Sequence, residues 1–266
     1  MSEEILYEQT GNVVTLTLNR PDTRNPLGAP DSVAAFVDAA ARINADRSVR
    51  AVVLTGAGKA FSAGGDVKAM RNKNGMFAGG SAALRESYRQ TIHKMVRAVW
   101  SIEVPVVAAV NGPAIGAGCD LACLCDTRIA SDTAKFGVTF LKLGLIPGDG
   151  GAWLLPRIIG MARASELFYT GDVIGADEAK QIGLVSRVVP HDDLLSEANA
   201  TAQKMAMQAP DVLRMTKRLL RAGMVSDFDT VMEMSASYQA VAHLTDDHAE
   251  AVNAFFDKRD PVFEGK

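Results

Sequence analysis

Two glycine-rich runs hold the residues of this chain best suited to chemistry. The first is Lys59-Ala60-Phe61-Ser62-Ala63-Gly64-Gly65-Asp66-Val67-Lys68; the second is Asn111-Gly112-Pro113-Ala114-Ile115-Gly116-Ala117-Gly118-Cys119-Asp120. Each follows an apolar strand pattern and precedes a helix pattern. Small residues at such a junction let a ligand approach the backbone, and the free N–H groups of a helix's first turn carry the positive end of its dipole. Two such junctions facing each other form an oxyanion hole of main-chain donors, with no need for a particular side chain. The same spacing also serves tight turns that pack a helix on a strand. Neither run is a P-loop, because no Gly-Lys-Ser/Thr follows. Gly116-Ala117-Gly118 lacks the third glycine and the ribose-binding acid of a dinucleotide fingerprint.

Other reactive side chains offer less. Cys119, Cys123 and Cys125 sit together without partners elsewhere, which excludes a disulfide framework. No histidine lies nearby, so buried structural thiols are expected, and no metal site. His93 falls in a long helix, His191 at a turn, and His243 and His248 in the helical tail. Surface or helix-end positions are expected for all four, and no Ser-His-Asp order supports a nucleophilic triad.

The elements that must hold the two runs alternate between strand and helix. Val13-Val14-Thr15-Leu16-Thr17-Leu18-Asn19 is β-branched with period two and ends at Arg20-Pro21-Asp22. Asp31 reads as the N-cap of an Ala-rich helix through Ala45. Arg50-Ala51-Val52-Val53-Leu54-Thr55 and Val106-Val107-Ala108-Ala109-Val110 read as buried strands, each feeding a glycine turn. Between them, residues 72–80 look like a mobile surface loop, and one long helix is expected over 81–101. Thr127-Arg128-Ile129-Ala130 and Lys135-Phe136-Gly137-Val138 read as short strands. The repeated strand–turn–helix units give an α/β class. From about Pro190 only helices follow, over 194–207, 210–223, 228–244 and 246–256. That block must bury Leu213, Leu219, Leu220, Met224, Met232 and Met234 against the chain itself or another subunit.

Composition excludes several functions. The 266 residues are 48% hydrophobic and 22% charged with a net charge of −3, which excludes disorder. Twenty-eight basic residues against 31 acidic ones leave no excess for nucleic acid. The longest apolar stretch, residues 104–117, is broken by Pro105, Asn111, Gly112, Pro113 and Gly116, so no membrane span is expected. The acidic start Met1-Ser2-Glu3-Glu4 carries neither an apolar signal core nor an Arg-rich presequence, and a cytoplasmic protein is expected.

Taken in order, the motifs resemble those of the crotonase superfamily, the enoyl-CoA hydratase/isomerase family. The likeness takes in Asn19-Arg20-Pro21 followed by Asn25, then Ala60-Phe61-Ser62-Ala63-Gly64-Gly65-Asp66 and the run from Val110 to Cys119. It continues through Leu143-Gly144-Leu145-Ile146-Pro147, then Gly171-Asp172, Ala179 and Gly183-Leu184-Val185. The resemblance implies a crotonase-like (ClpP/crotonase) spiral of ββα units over residues 1–195. A C-terminal helical trimerisation region over 196–266 is implied with it, as a homotrimer or homohexamer. It also implies an acyl-CoA thioester as substrate, so that coenzyme A enters with the substrate and no separate cofactor is needed. By the same resemblance Gly65 and Ala117 supply the oxyanion N–H groups. Residues Ala63, Gly64, Asp66, Val67 and Lys68 contact the adenine and pantetheine. Lys59, Lys68 and Arg24 are candidates for the CoA phosphates, with solvated surface charge as the alternative. Lys258 or Arg259 of a neighbouring tail could also reach CoA, and Glu264 stands where some hydratases carry a lysine.

Hydration in this family uses two glutamates that hold one water. The resemblance places Asp120 at the first position and Phe140 at the second, and an apolar ring cannot carry a proton. Double-bond isomerisation of an enoyl-CoA is therefore the leading expectation, with Asp120 and Asp149 as its acids. Asp149 stands one residue beyond the position used by several isomerase branches, and could instead be the N-cap of a helix ending near Gly160. A hydratase or dehydratase using Asp149, and a non-catalytic CoA-ester binder, remain as alternatives. Met70, Met76, Phe77, Leu84, Phe140 and Trp153 are candidates for an apolar acyl tunnel.

Overall fold

In the computed structural model, which describes residues 4–266, the chain repeats one path several times. It runs along a long strand, a short strand in a second wall, and then a helix. The start at Met1, Ser2 and Glu3 lies outside the described residues. β1 (Ile5–Thr10) and β2 (Val13–Leu18) open the chain as an antiparallel hairpin with Ile5 opposite Leu18. β3 (Pro26–Leu27) and α1 (Pro30–Ala45) complete the first turn. β4 (Ala51–Gly56), β5 (Gly64–Gly65) and α2 (Val67–Asn72) form the second. After α3 (Ser81–Gln90) and α4 (Ile92–Trp100), the third is β6 (Val106–Val110), β7 (Pro113–Ile115) and α5 (Ala117–Leu124). The fourth is β8 (Thr127–Ser131), β9 (Lys135–Gly137) and α6 (Gly151–Ile159). α7 (Met161–Thr170), β10 (Val173–Gly175), α8 (Ala176–Gln181) and β11 (Arg187–Val189) close the spiral.

The long strands assemble in the order β1-β2-β4-β6-β8-β11, parallel except for the first hairpin. The short ones form two smaller sheets, β10-β9-β7 and β3-β5, which a bridge between Ser62 and Ala114 links. This is the ββα spiral that the motifs imply. Every residue of β4 and β6 is buried, as expected for parallel strands covered on both faces. Val52, Leu54, Val106, Ala108 and Val110 face the main core with Phe36, Phe61 and Phe136. Ala51, Val53, Val107 and Ala109 face α9 (Leu194–Ala206). That helix presents Leu194, Ala198, Ala202 and Ala206, spaced four apart on one face, and three alanines let it lie close to the sheet.

α9 thus closes the core, and the boundary drawn at 195/196 runs through it. α10 (Pro210–Gly223), α11 (Phe228–His243) and α12 (Asp246–Asp257) follow, close to the expected spans. Ion pairs between buried cations and half-buried carboxylates tie α10 to the core. Lys217 Nζ meets Asp126 at 2.6 Å and donates to the Val104 carbonyl at 2.6 Å, and Arg214 meets Glu103 at 3.0 Å. No described helix is long and apolar enough to cross a membrane.

Three local expectations need correction. α1 begins at Pro30 with Ala29 as N-cap, so Asp31 caps nothing; it sits in the first turn, where its charge favours the helix dipole. The helix expected over 81–101 breaks at Thr91, whose backbone lies at φ −113° and ψ −99°. The Thr91 hydroxyl donates back to the Ser87 carbonyl at 2.6 Å, a bond that bends helices. Within residues 72–80, a single helical turn at Gly75–Phe77 carries Met76 and Phe77 to a cavity wall rather than to the outer surface.

Candidate active site

The two glycine runs meet, and backbone contact joins them. Ser62 N–H donates to the Pro113 carbonyl at 3.1 Å, and Ile115 N–H donates to the Ser62 carbonyl at 3.0 Å. The approach leaves no room for side chains at two key glycines. A Cβ on Gly118 would lie 2.3 Å from the Ser62 carbonyl oxygen, and one on Gly64 2.4 Å from that of Ile115. Two asparagines brace the contact. Asn25 is buried with φ +54°, and its Nδ2 donates to the carbonyls of Ala57, Ala60 and Phe61 at 2.9–3.2 Å. Asn111 accepts from Gly56 N–H at 3.2 Å and donates to the Gly58 carbonyl at 3.0 Å. The motif residues Asn25 and Asn111 are therefore the scaffold of the first run.

Where the runs meet, a cavity of about 340 Å³ opens, bearing Ala63, Gly65 and Val67 from the first run and Ile115, Gly116 and Ala117 from the second. Ala117 is the first residue of α5, so its N–H has no intrahelical partner. Apolar side chains from four other segments complete the wall, among them Met70, Met76, Phe77, Ile92 and Phe140. The Phe140 ring lies 3.9 Å from the point where a Cβ on Gly116 would stand. An apolar ring therefore occupies the wall beside the second glycine turn.

The two candidate acids part company. Asp149 lines the cavity and is 8% exposed. Burial pushes its carboxyl up to about 6, against a smaller opposing pull from His93. It is no helix cap, since α6 starts at Gly151 with Gly150 as N-cap. Asp120 is 1% exposed and lies off the cavity lining. Its Oδ2 accepts the Gly151 N–H at 2.9 Å, and its Oδ1 has no hydrogen-bond partner. Burial first, then Cys123 and Asp149, raise its carboxyl well above the ordinary range, while the Gly151 N–H opposes them.

Of the residues expected to contact CoA, Ala63 and Val67 reach the cavity. Gly64 is buried behind them, and Asp66 caps α2 by accepting the Ala69 N–H at 2.9 Å. Lys59, Lys68 and Arg24 are exposed and off the lining; Arg24 joins the site through its backbone, whose carbonyl accepts the Ala63 N–H at 2.8 Å. Arg259 is held by Glu250 of its own chain. Met70, Met76, Phe77 and Phe140 line the cavity as expected. Leu84 and Trp153 do not; Trp153 packs edge-on against Trp100 at 5.6 Å. The three cysteines are buried.

Sequence reasoning missed Tyr88 and His93. Tyr88 lines the cavity, and burial together with the nearby Asp149 charge raises its phenol. His93 is half-buried rather than a surface group, with Nε2 2.9 Å from the Gly148 carbonyl oxygen. Their five-residue spacing carried no signal, because the break at Thr91 decides which way each side chain faces.

A profile of the family described as enoyl-CoA hydratase/isomerase matches residues 8–266. The chain is 38% identical over 265 residues to a crotonyl-CoA hydratase of Syntrophomonas wolfei, covering 99% of each. It is 36% identical over 266 residues to a 1,2-epoxyphenylacetyl-CoA isomerase of Escherichia coli, covering all of both. The crystal structure of an enoyl-CoA hydratase from Bacillus anthracis superposes with a TM-score of 0.92 at 36% identity, over 99% of this chain and 100% of that one. With the ββα spiral, the facing glycine turns and relatives matched from end to end, the chain belongs to the enoyl-CoA hydratase/isomerase family.

Proposed function

We propose that this enzyme moves the double bond of an enoyl-CoA thioester, with Asp149 carrying the proton. The observation that supports this best is the cavity's proton-transfer equipment. Among the described residues, Asp149 is the only carboxylate on a lining that also bears Gly65 and Ala117. The thioester oxygen sits against the N–H groups of those two residues. They stabilise the negative charge that develops when the Asp149 carboxylate takes a proton from the α or γ carbon. The electron pair of the broken C–H bond delocalises onto the thioester oxygen. It returns when Asp149 delivers the proton to the other carbon, which completes the shift. A carboxyl titrating near 6 suits both steps at neutral pH.

Coenzyme A arrives with the substrate, so no separate cofactor enters this scheme. Its pantetheine would pass Ala63 and Val67, with Gly64, Asp66 and Lys68 behind them, and Lys59 and Arg24 outside. Hydration would need a second group to hold water, and Phe140 offers none. The assembly we propose is a homotrimer or homohexamer. α11 buries none of its residues within the chain, and Phe228, Met232, Val241 and Leu244 stand exposed on and beside it.

The test is turnover of 3-enoyl-CoA and of crotonyl-CoA in D2O, analysed by mass spectrometry. Conversion of 3-enoyl- to 2-enoyl-CoA with deuterium uptake, lost in Asp149→Asn, is the expected result. Dominant 3-hydroxyacyl-CoA formation would instead make this a hydratase, as the relatives bearing that name suggest. Tight ester binding without any product would make it a binder.

A further inference from the structure

The segment that carries Asp149 has little stiffness of its own. Gly148, Gly150 and Gly151 surround the acid, and Gly150 lies at φ +105°. Glycine at three of four positions leaves the backbone many alternatives, so something outside the turn must select one. Two side chains do so. His93 meets the Gly148 carbonyl from α4, and Asp120 takes the Gly151 N–H from α5.

We propose that Asp120 is a positioning residue, whose buried carboxyl clamps the start of α6 and so sets the turn that presents Asp149 to the cavity. This rests on the reading of Asp149 as the proton carrier. The fit at the clamp is close. A Cβ on Gly151 would lie 2.0 Å from Asp120 Oδ1, so the carboxyl fills the space a side chain at 151 would need. The side chain is committed to that glycine and stays off the cavity lining. One donor is too little to hold a charge at a fully buried site, and Oδ1 has no partner at all. A neutral acid accepting through Oδ2 costs less at such a site than a carboxylate would. The ionisable groups around it are Cys119 and Cys123 on its own helix and Asp149 from the turn; His93 and Tyr88 face Asp149 from the other side.

The experiment compares Asp120→Asn, Asp120→Ala and Asp149→Asn in the full chain. It reads steady-state rates, the pH profile and hydrogen exchange of a peptide covering residues 147–155. Asp120→Asn keeps an acceptor oxygen. We expect it to retain exchange protection, turnover within about threefold of the parent, and an unmoved acid limb. Asp120→Ala should speed exchange of that peptide and lower kcat by about 10–100-fold with little change in KM. If Asp120→Asn is as inactive as Asp149→Asn while exchange stays slow, Asp120 is a proton donor and the proposal falls. Unchanged exchange in Asp120→Ala also overturns it; should that variant fail to fold, Asp120→Asn still decides. A fully active Asp149→Asn would refute the reading of Asp149 alone, because the exchange comparison tests the clamp without any chemistry.

Discussion

His93 Nε2 lies 2.9 Å from the carbonyl oxygen of Gly148, the residue immediately before Asp149. The contact joins α4 to the turn ahead of α6, through residues 55 positions apart in the chain. It fixes the proton on Nε2, since a carbonyl oxygen only accepts. The imidazole also sits near enough for its positive form to favour the Asp149 carboxylate.

His93→Phe removes both the donor and the charge. Turnover should fall about tenfold as the turn loosens. A cation beside a carboxylate lowers its pKa, so removing it raises that of Asp149. The acid limb of kcat/KM, expected at about 6, should therefore move to higher pH in the variant. A pH profile identical to the parent's would rule out the contact as an influence on Asp149.

The same carboxyl should weaken the fold as pH rises from about 4 to about 6. Its pKa rises from 3.8 to about 6 in the folded chain, so the folded state holds its proton more tightly than the unfolded one. Below the unfolded value both states are protonated and nothing is lost. As pH climbs through this window the folded state loses stability, about 3 kcal/mol in all, and above 6 the loss is constant. Asp149→Asn should be more stable than the parent at pH 7.5 and nearly equal to it at pH 4 or below. Denaturant titrations at the two pH values make the comparison.

Gly116 tests the proposed oxyanion role of the Ala117 N–H without removing that group. Its backbone sits at φ +54° and ψ −122°, where a side chain is strained, yet the nearest atom to an added Cβ is 3.9 Å away. Gly116→Ala therefore meets no clash, and its effect comes through the backbone. About 1–3 kcal/mol of strain should relax by rotating the peptide that carries the Ala117 N–H. A loss of about 100-fold or more in kcat, with a modest fall in Tm, is the expected result. Unaltered kcat would argue against Ala117 as a donor.

Lys217 is a structural cation and should prove separable from turnover. Burial lowers its ammonium to about 8 despite Asp126 beside it. Lys217→Ala leaves the Val104 carbonyl without its donor and Asp126 with the Val106 N–H at 2.7 Å and Arg221 at 3.5 Å. Breaking a fully buried pair costs about 3–5 kcal/mol, and the partial exposure of Asp126 brings the expectation to about 2 kcal/mol. Chemical denaturation reads the loss, while kcat of the folded variant should match the parent's.

Val241 and Leu244 are 55% and 88% exposed in the single chain. Glutamate at both should leave an isolated chain unaffected but place charge in a subunit interface. Sedimentation should show the assembly breaking to monomers. A variant that stays assembled would move the interface elsewhere.

Much of the framework was written locally. The all-apolar runs of β4 and β6 ended where their glycine turns begin, and the tail helices fell close to their expected spans, because period and punctuation are local properties. Asn25 and Asn111 stood in the motifs, although their bracing hydrogen bonds could be seen only once residues 32 to 55 positions apart came together. The break at Thr91 was hidden by a good helix pattern, since neither its backbone angles nor the hydroxyl bond to Ser87 leaves a mark on periodicity.

The α/β class and the family were legible in the pattern of elements and the order of the motifs, and so was the pair of glycine turns that the structure brings together. The absence of a second acid at Phe140 was equally plain, since it depends only on which residue is there. Which carboxylate faces the cavity was decided by tertiary structure. Asp120 and Asp149 stand 29 positions apart, and nothing in either local sequence says that one meets Gly151 while the other lines the cavity. Direction of a side chain and its desolvation come from packing between distant elements. Those two quantities, rather than residue type, separate the carboxylate held against Gly151 from the one on the cavity wall.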